Sequence, residues 1–193
     1  MSVLCRGRGM RDHKNKKIDN CFYSIMDGTP VGDIILFGSA NGLCRLEMAV
    51  KSFDKAIDNF ARQGNFPVKS TKDELRDIVR QLNEYFLKKR KSFSVKLDLT
   101  EVTPFRRRVY DILPKEAAYG DTISYGGLAL KLGGLKYSRA VGSAMANNPI
   151  PIIIPCHRVL KSDRSLGGFG GGLDLKVKLL EIEGTEISQS NRK

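Results

Sequence analysis

The sequence predicts an α/β (α+β) protein, with a small N-terminal antiparallel-sheet-plus-helix domain and a C-terminal winged helix-turn-helix-like helical domain. Three observations point there. Short β-rich segments cluster before residue 50, with Asn41-Gly42 between two of them. From Thr71 onward, apolar residues recur at helical spacing. Two short helical segments flank Gly133-Gly134 in the second half.

Taken in order, residues 1–20 are rich in Arg, Lys, Gly and Asn and read as a basic leader. An N-terminal domain spans 21–94. Its strands are expected at Phe22–Met26, Ile34–Phe37 and Leu43–Met48, the last two joined by a tight hairpin, since Asn and Gly tolerate positive φ. Phe53–Arg62 has helical composition and Asn65-Phe66-Pro67 breaks it. Thr71 with Glu74 forms a capping box ahead of Leu75, Ile78, Val79, Leu82 and Phe86, and Lys88–Lys91 close that helix with positive charge.

A second domain is expected over 95–184. Pro104 suits the first turn of a helix continued by Phe105, Val109, Ile112 and Leu113. Ser124 can cap a short helix carrying Leu128, Ala129 and Leu132, which Gly133-Gly134 stops. The next helix turns Ala140, Val141, Ala144 and Met145 inward and ends before Asn148-Pro149. An apolar run from Ile150 to Ile154 leads into Pro155-Cys156-His157-Arg158-Val159. A glycine-rich loop, Leu166–Leu173, precedes a last helix from Asp174 to Glu183, and 185–193 form a polar tail.

Composition narrows the function. The 33 basic residues exceed the 21 acidic ones, for a net charge of +12, which favours encounter with polyanions without proving it. No apolar run approaches the roughly 20 residues needed to span a bilayer, and the N-terminus lacks the apolar segment of a secretory signal. The expectation is a soluble protein of the cytoplasm, or of the nucleus if eukaryotic. Four scattered cysteines without a CxxC pair indicate free thiols rather than a disulfide framework.

Cys156 is the candidate nucleophile. A thiol with an ordinary pKa of about 8.5 must be activated, and a neighbouring imidazole and a helix N-terminus both favour the thiolate. Pro155 would start such a helix, with Cys156 in its first turn. Adjacent helical residues point about 100° apart, so His157 would reach the sulfur through a water rather than directly. Glu183 opposes the dipole of its own helix, and His157 is its candidate partner. From these residues alone, an inert buried cysteine beside a satisfied histidine remains open.

The stretch Asn148-Pro149-Ile150-Pro151-Ile152-Ile153-Ile154-Pro155-Cys156-His157-Arg158-Val159 resembles the active-site segment of the O6-alkylguanine-DNA alkyltransferases. Pro104-Phe105 with Val109-Tyr110, Ser124-Tyr125, Ser138-Arg139-Ala140-Val141-Gly142, Gly167-Gly168-Phe169, and Leu179-Leu180 with Glu183-Gly184 extend the likeness over residues 95–184. The resemblance implies direct DNA repair. An alkyl group passes once and irreversibly from O6-alkylguanine (or O4-alkylthymine) in a flipped nucleotide to Cys156, without cofactor, in a monomer bound to the minor groove of double-stranded DNA.

It further implies that His157 is the base, that Glu183 orients it, and that Asn148 is the hinge before the active-site segment. Arg139 would enter the duplex from a helix that also sets Ser138, Gly142 and Ala146 against DNA. Tyr125 would crowd the target phosphate and bond the base. Met145, Val159, Phe169 and Gly170 would line the base pocket under the glycine-rich lid. Three positions depart from the family: Phe169 stands where some relatives have Tyr, Arg164 where Gly is common, and Gly170 where many have Ser or Arg. Cys5, His13 and Cys21 provide three ligands of a zinc site without an evident fourth, so no metal is assigned. The rival expectations are a non-catalytic lesion-binding or signalling protein, which would not need Cys156, and a cysteine hydrolase, which would turn over.

Overall fold

The computed structural model describes residues 21–64, 68–71 and 73–186. The leader 1–20, with Cys5 and His13, the break at 65–67 and most of the polar tail lie outside the described residues.

Strands β1 (Cys21–Met26), β2 (Ile34–Ser39) and β3 (Gly42–Glu47) form an antiparallel meander, as expected from their composition. Strand β2 is central and apolar on both faces. Alternation sends Ile34 and Leu36 to one core and Ile35 and Phe37 to another. Helix α1 (Phe53–Gly64) covers the second face, where Phe60 stacks on Phe37 with ring centroids 4.0 Å apart. Strand β4 (Val68–Ser70) was not anticipated. It joins β1 in parallel and completes the order β3-β2-β1-β4. Three residues carry too little pattern to announce a strand.

Gly42 sits at φ 133°, and a Cβ there would lie 2.3 Å from the Lys96 carbonyl oxygen. The hairpin therefore needs glycine both for its turn and for the close crossing of the 95–98 segment. That segment is pinned by Leu43 N–H to Lys96 O (2.9 Å) and Asp98 N–H to Leu43 O (2.8 Å).

Helix α2 (Arg76–Phe86) covers the first sheet face with Ile78, Leu82 and Tyr85. The Thr71 capping box is displaced from it. Thr71 Oγ1 accepts from Asp73 N and Glu74 N at 3.3 and 3.4 Å, but this organises the approach turn, and the helix starts at Arg76 behind Leu75.

The second half is helical. Helix α3 (Pro104–Glu116) begins at its proline and buries Val109, Tyr110 and Leu113. A two-residue strand, β5 (Ile123–Ser124), leads into α4 (Tyr125–Lys131), whose Ser124 cap accepts from Gly127 N–H at 2.9 Å. Gly133 and Gly134, at φ 113° and 141°, turn the chain through a single 3-10 turn into α5 (Ser138–Ala146). The two helices and their turn form the expected helix-turn-helix. Ala140 is half-buried rather than part of the inner face, which is made by Val141, Ala144 and Met145.

Strand β6 (Val159–Leu160), also unanticipated, pairs in parallel with β5, and α6 (Leu173–Ile182) closes the described chain. A single apolar cluster runs from the sheet through α2 into α3, α4, α5, the 150–154 segment and α6, so the two halves share one core. Among the described residues, no helix is long and apolar enough to cross a membrane.

Candidate active site

The segment before Cys156 is a buried apolar turn held by its own backbone hydrogen bonds and braced by one side-chain amide. Asn148 Oδ1 accepts from Ile150 N–H at 3.0 Å, and its Nδ2 donates to Ile154 O at 2.8 Å and to Cys156 Sγ at 3.0 Å. Ile152 within the turn has φ 73°, a conformation a β-branched residue adopts only when its surroundings impose it. The asparagine brace is such a surrounding, and it also aims a donor at the sulfur.

Cys156 does not open an α-helix, contrary to expectation. Residues Cys156–Arg158 make one 3-10 turn, and the chain then extends at once into β6. Pairing of Val159 with Ile123 draws the backbone out before a second turn can form. There is no helix dipole to activate the thiol. Burial instead pushes Cys156 up from its ordinary value, opposed by the Asn148 hydrogen bond and the charge of Lys176. The resting group is a thiol, so its activation falls to a base rather than to the helix N-terminus that was expected.

His157 and Glu183, 26 residues apart, meet with His157 Nε2 2.7 Å from Glu183 Oε1. Both are buried. Burial would raise the Glu183 carboxyl, but hydrogen bonds from His157 and Arg158 outweigh it and hold the group at about 2. An ionised carboxylate can only accept, so Nε2 carries the proton of a neutral imidazole. Burial pushes His157 down despite the carboxylate, with Arg158 and Lys176 acting in the same direction. Neutral His157 therefore presents a bare Nδ1, and this atom is buried without a protein hydrogen-bond partner.

Three residues of this site carried no assigned role from the sequence. Arg158 donates to both Glu183 oxygens, at 2.8 and 2.9 Å, and to Ala117 O at 2.8 Å. Tyr85 OH donates to Glu183 Oε1 at 2.8 Å. Lys176 is fully buried and donates to Val159 O at 2.7 Å and to Leu166 O. Burial lowers its ammonium to about 8, partly offset by Cys156. For Lys176 a signal existed: 176, 179, 180 and 183 share one face of α6, so a lysine and a glutamate flank two inward leucines. Nothing comparable singled out the Tyr85 hydroxyl.

The remaining predicted residues lie on α5, at the start of α4, in β6 and in the glycine-rich loop, some exposed and some buried. Arg139, Gly142 and Ala146, at i, i+3 and i+7, lie along one side of α5. Arg139 and Ala146 are exposed, and a Cβ added at Gly142 would meet nothing within 4 Å. Ser138 Oγ donates to Leu135 O at 2.7 Å and fixes the start of the helix. The glycine-rich loop spans the gap between α5 and α4. A Cβ at Gly170 would face Ala146 O at 3.9 Å, and one at Gly167 would press to 3.1 Å from the Tyr125 ring.

Tyr125 is half-buried and donates to Gly168 O at 3.4 Å. Burial raises its phenol, and Cys156 adds to the shift. Met145 is buried, and Phe169 packs partly exposed against the central core. Val159 O, occupied by Lys176, keeps a second lone pair. Among the described residues, no group of three or more His, Cys, Asp or Glu side chains could hold a metal.

Residues 104–185 match the DNA-binding domain of 6-O-methylguanine DNA methyltransferase, and residues 21–99 match its ribonuclease-like domain. The methylated-DNA–protein-cysteine methyltransferase of Methanosarcina acetivorans is 40% identical over 165 residues, covering 85% of this chain and 99% of that protein. The Mycobacterium leprae protein of the same name is 37% identical over 162 residues, covering 84% and 92%. Among solved structures, Mycobacterium tuberculosis OGT in complex with DNA superposes with a TM-score of 0.70 at 34% identity, covering 84% of this chain and 93% of that one. The O6-methylguanine-DNA methyltransferase of Pyrococcus kodakaraensis gives 0.61 at 25% identity, covering 86% and 99%.

Proposed function

The chain belongs to the methylated-DNA–protein-cysteine methyltransferase family, and from that premise we propose how its residues divide the work of direct DNA repair. The protein is a stoichiometric alkyltransferase whose partner is double-stranded DNA carrying O6-alkylguanine. One observation carries the assignment of roles: His157 is locked by Glu183 on one nitrogen and keeps a buried, unpartnered nitrogen on the other, and the residue before it in the chain is the thiol held by Asn148.

A water between Cys156 and His157 Nδ1 takes the thiol proton and passes it to the imidazole. Glu183 stabilises the imidazolium that results. The sulfur then attacks the alkyl carbon in line, an S–C bond forms and the C–O6 bond breaks. The proton taken from the thiol passes from the His157 imidazolium, through water, to the departing guanine, which leaves as a neutral base while the imidazole becomes neutral again. A buried thiol with a raised pKa suits this sequence, because the proton leaves only when the base and the substrate are in place. The thioether product is stable and the protein acts once.

O6 is inaccessible inside a duplex, so the nucleotide is extruded, at a cost of a few kcal/mol. The open side of α5, with Gly142 and Ala146, lies against the minor groove. Arg139 enters the stack, its planar cationic head substituting for the lost contacts. Tyr125 crowds the target phosphate and bonds the flipped base, which lies among Met145, Val159, Phe169 and Gly170. The protein works where DNA is, in the cytoplasm or, in a eukaryote, the nucleus.

Intact mass spectrometry after incubation with O6-benzylguanine tests the assignment. The expected result is one benzyl adduct per chain, mapped to the Cys156 peptide and absent from Cys156→Ser. Catalytic turnover would indicate a hydrolase. An unmodified protein bound to methylated DNA would indicate a lesion-binding role.

A further inference from the structure

We propose that Tyr85 is a positioning residue for alkyl transfer: its hydroxyl, brought from helix α2 of the N-terminal domain, fixes the carboxylate of Glu183 that in turn sets His157. The inference rests on the assignment of His157 as the base.

Tyr85 is fully buried, in a ring cluster with Phe86, Phe93 and Tyr119 at centroid distances of 5.4, 5.5 and 5.9 Å. Phenylalanine would satisfy that packing, whereas a buried hydroxyl is tolerated only with a partner. The partner is Glu183 Oε1, 2.8 Å away and 98 residues distant in sequence.

The same oxygen receives His157 Nε2 at 2.7 Å and Arg158 Nη2 at 2.9 Å, while Oε2 receives Arg158 Nε at 2.8 Å and Gly120 N–H at 3.3 Å. Three donors converge on one oxygen, so the angle at which the imidazole meets it is determined by the other two. Arg158 and His157 come from the active-site turn and Gly120 from the loop after α3. Tyr85 is the donor from the sheet-bearing half of the fold.

The charged and titratable groups facing this pair are Arg158, Tyr85 and Tyr119 around Glu183, and Arg158, Lys176 and Cys156 around His157. Of the side chains that donate to Glu183, Tyr85 alone offers a neutral hydroxyl that can be deleted without removing the base or a charge. It withdraws electron density from Oε1 and so weakens the hold of the carboxylate on the imidazolium. Without it, the carboxylate would bind the proton-bearing ring more strongly and with less fixed geometry.

The test uses the full chain and free-base O6-benzylguanine, which removes DNA binding from the measurement. Single-turnover rates are followed from about pH 5 to 9, the range in which an imidazole titrates. Tyr85→Phe should slow the plateau rate about fivefold, the scale of one ordinary net hydrogen bond. It should also move the acid limb up by roughly half a pH unit.

Replacing Tyr85 with 3-fluorotyrosine, a stronger donor of almost the same shape, should move that limb down. A rate within about twofold of the parent and an unmoved limb in Tyr85→Phe would overturn the proposal, as would limbs moving in one direction for both proteins. If Tyr85→Phe does not fold, the fluorotyrosine protein decides: a limb at the parental pH refutes the proposal. Failure of the parent itself to be benzylated on Cys156 would instead refute the assignment of the site.

Discussion

Glu183→Gln keeps the shape of the side chain and removes its charge, and the structure fixes what that change should cost. Holding a carboxyl of ordinary value 4.5 at about 2 corresponds to roughly 3 kcal/mol of folding stability at neutral pH. An independent route agrees: removing one partner of a buried ion pair leaves Arg158 uncompensated, at about 3–5 kcal/mol. Because the folded value is depressed, this stability is fully present above about pH 4.5 and is lost as pH falls toward 2.

The difference between parent and Glu183→Gln should therefore be about 3 kcal/mol at pH 7 and about half that at pH 3. At pH 7 it should appear as a melting temperature lower by roughly 6–12 °C. Urea titrations of both proteins at several pH values measure it, and the comparison cancels the other carboxylates. A difference below about 1 kcal/mol, or one that does not change with pH, would refute the view that Glu183 is a buried carboxylate held ionised by its donors.

Lys176→Met removes an ammonium whose value is lowered from 10.5 to about 8. The unfolded chain binds that proton more tightly, so between about pH 8 and 10.5 the parent should gain stability relative to the variant, measured by urea titration. The variant should also label with benzylguanine more slowly, because the Val159 and Leu166 carbonyls lose their shared donor. Arg164 sits at φ 63°, in the turn closed by its N–H to Lys161 O. Arg164→Gly should relieve about 1 kcal/mol of strain and raise the melting temperature by about 2–4 °C in a calorimetric scan. Arg139→Ala should slow transfer from methylated duplex DNA about tenfold and leave transfer from free benzylguanine unchanged. Equal losses on both substrates would contradict its role as the residue that enters the duplex.

How much of this was legible depended on the range of the interaction. Strands β1–β3, the α3 start at Pro104 and the Ser124 cap follow from neighbours a few residues apart, and they were readable. The parallel partners β4, β5 and β6 are two or three residues long and pair with distant segments, so no local period announces them. The helix expected at Pro155 failed because pairing of Val159 with Ile123, a contact across the fold, overrode a local preference.

The sequence by itself determined the identity of the chemistry: a thiol, an imidazole, an amide and a carboxylate in a recognisable order, on a chain of strands followed by helices. Only the tertiary structure decided the state those groups are in. Desolvation leaves Cys156 a thiol and His157 neutral, and the five hydrogen bonds converging on Glu183 from three separate parts of the chain keep it charged. Burial and non-local hydrogen bonding set proton affinity, and neither is written in the spacing of residues along a chain.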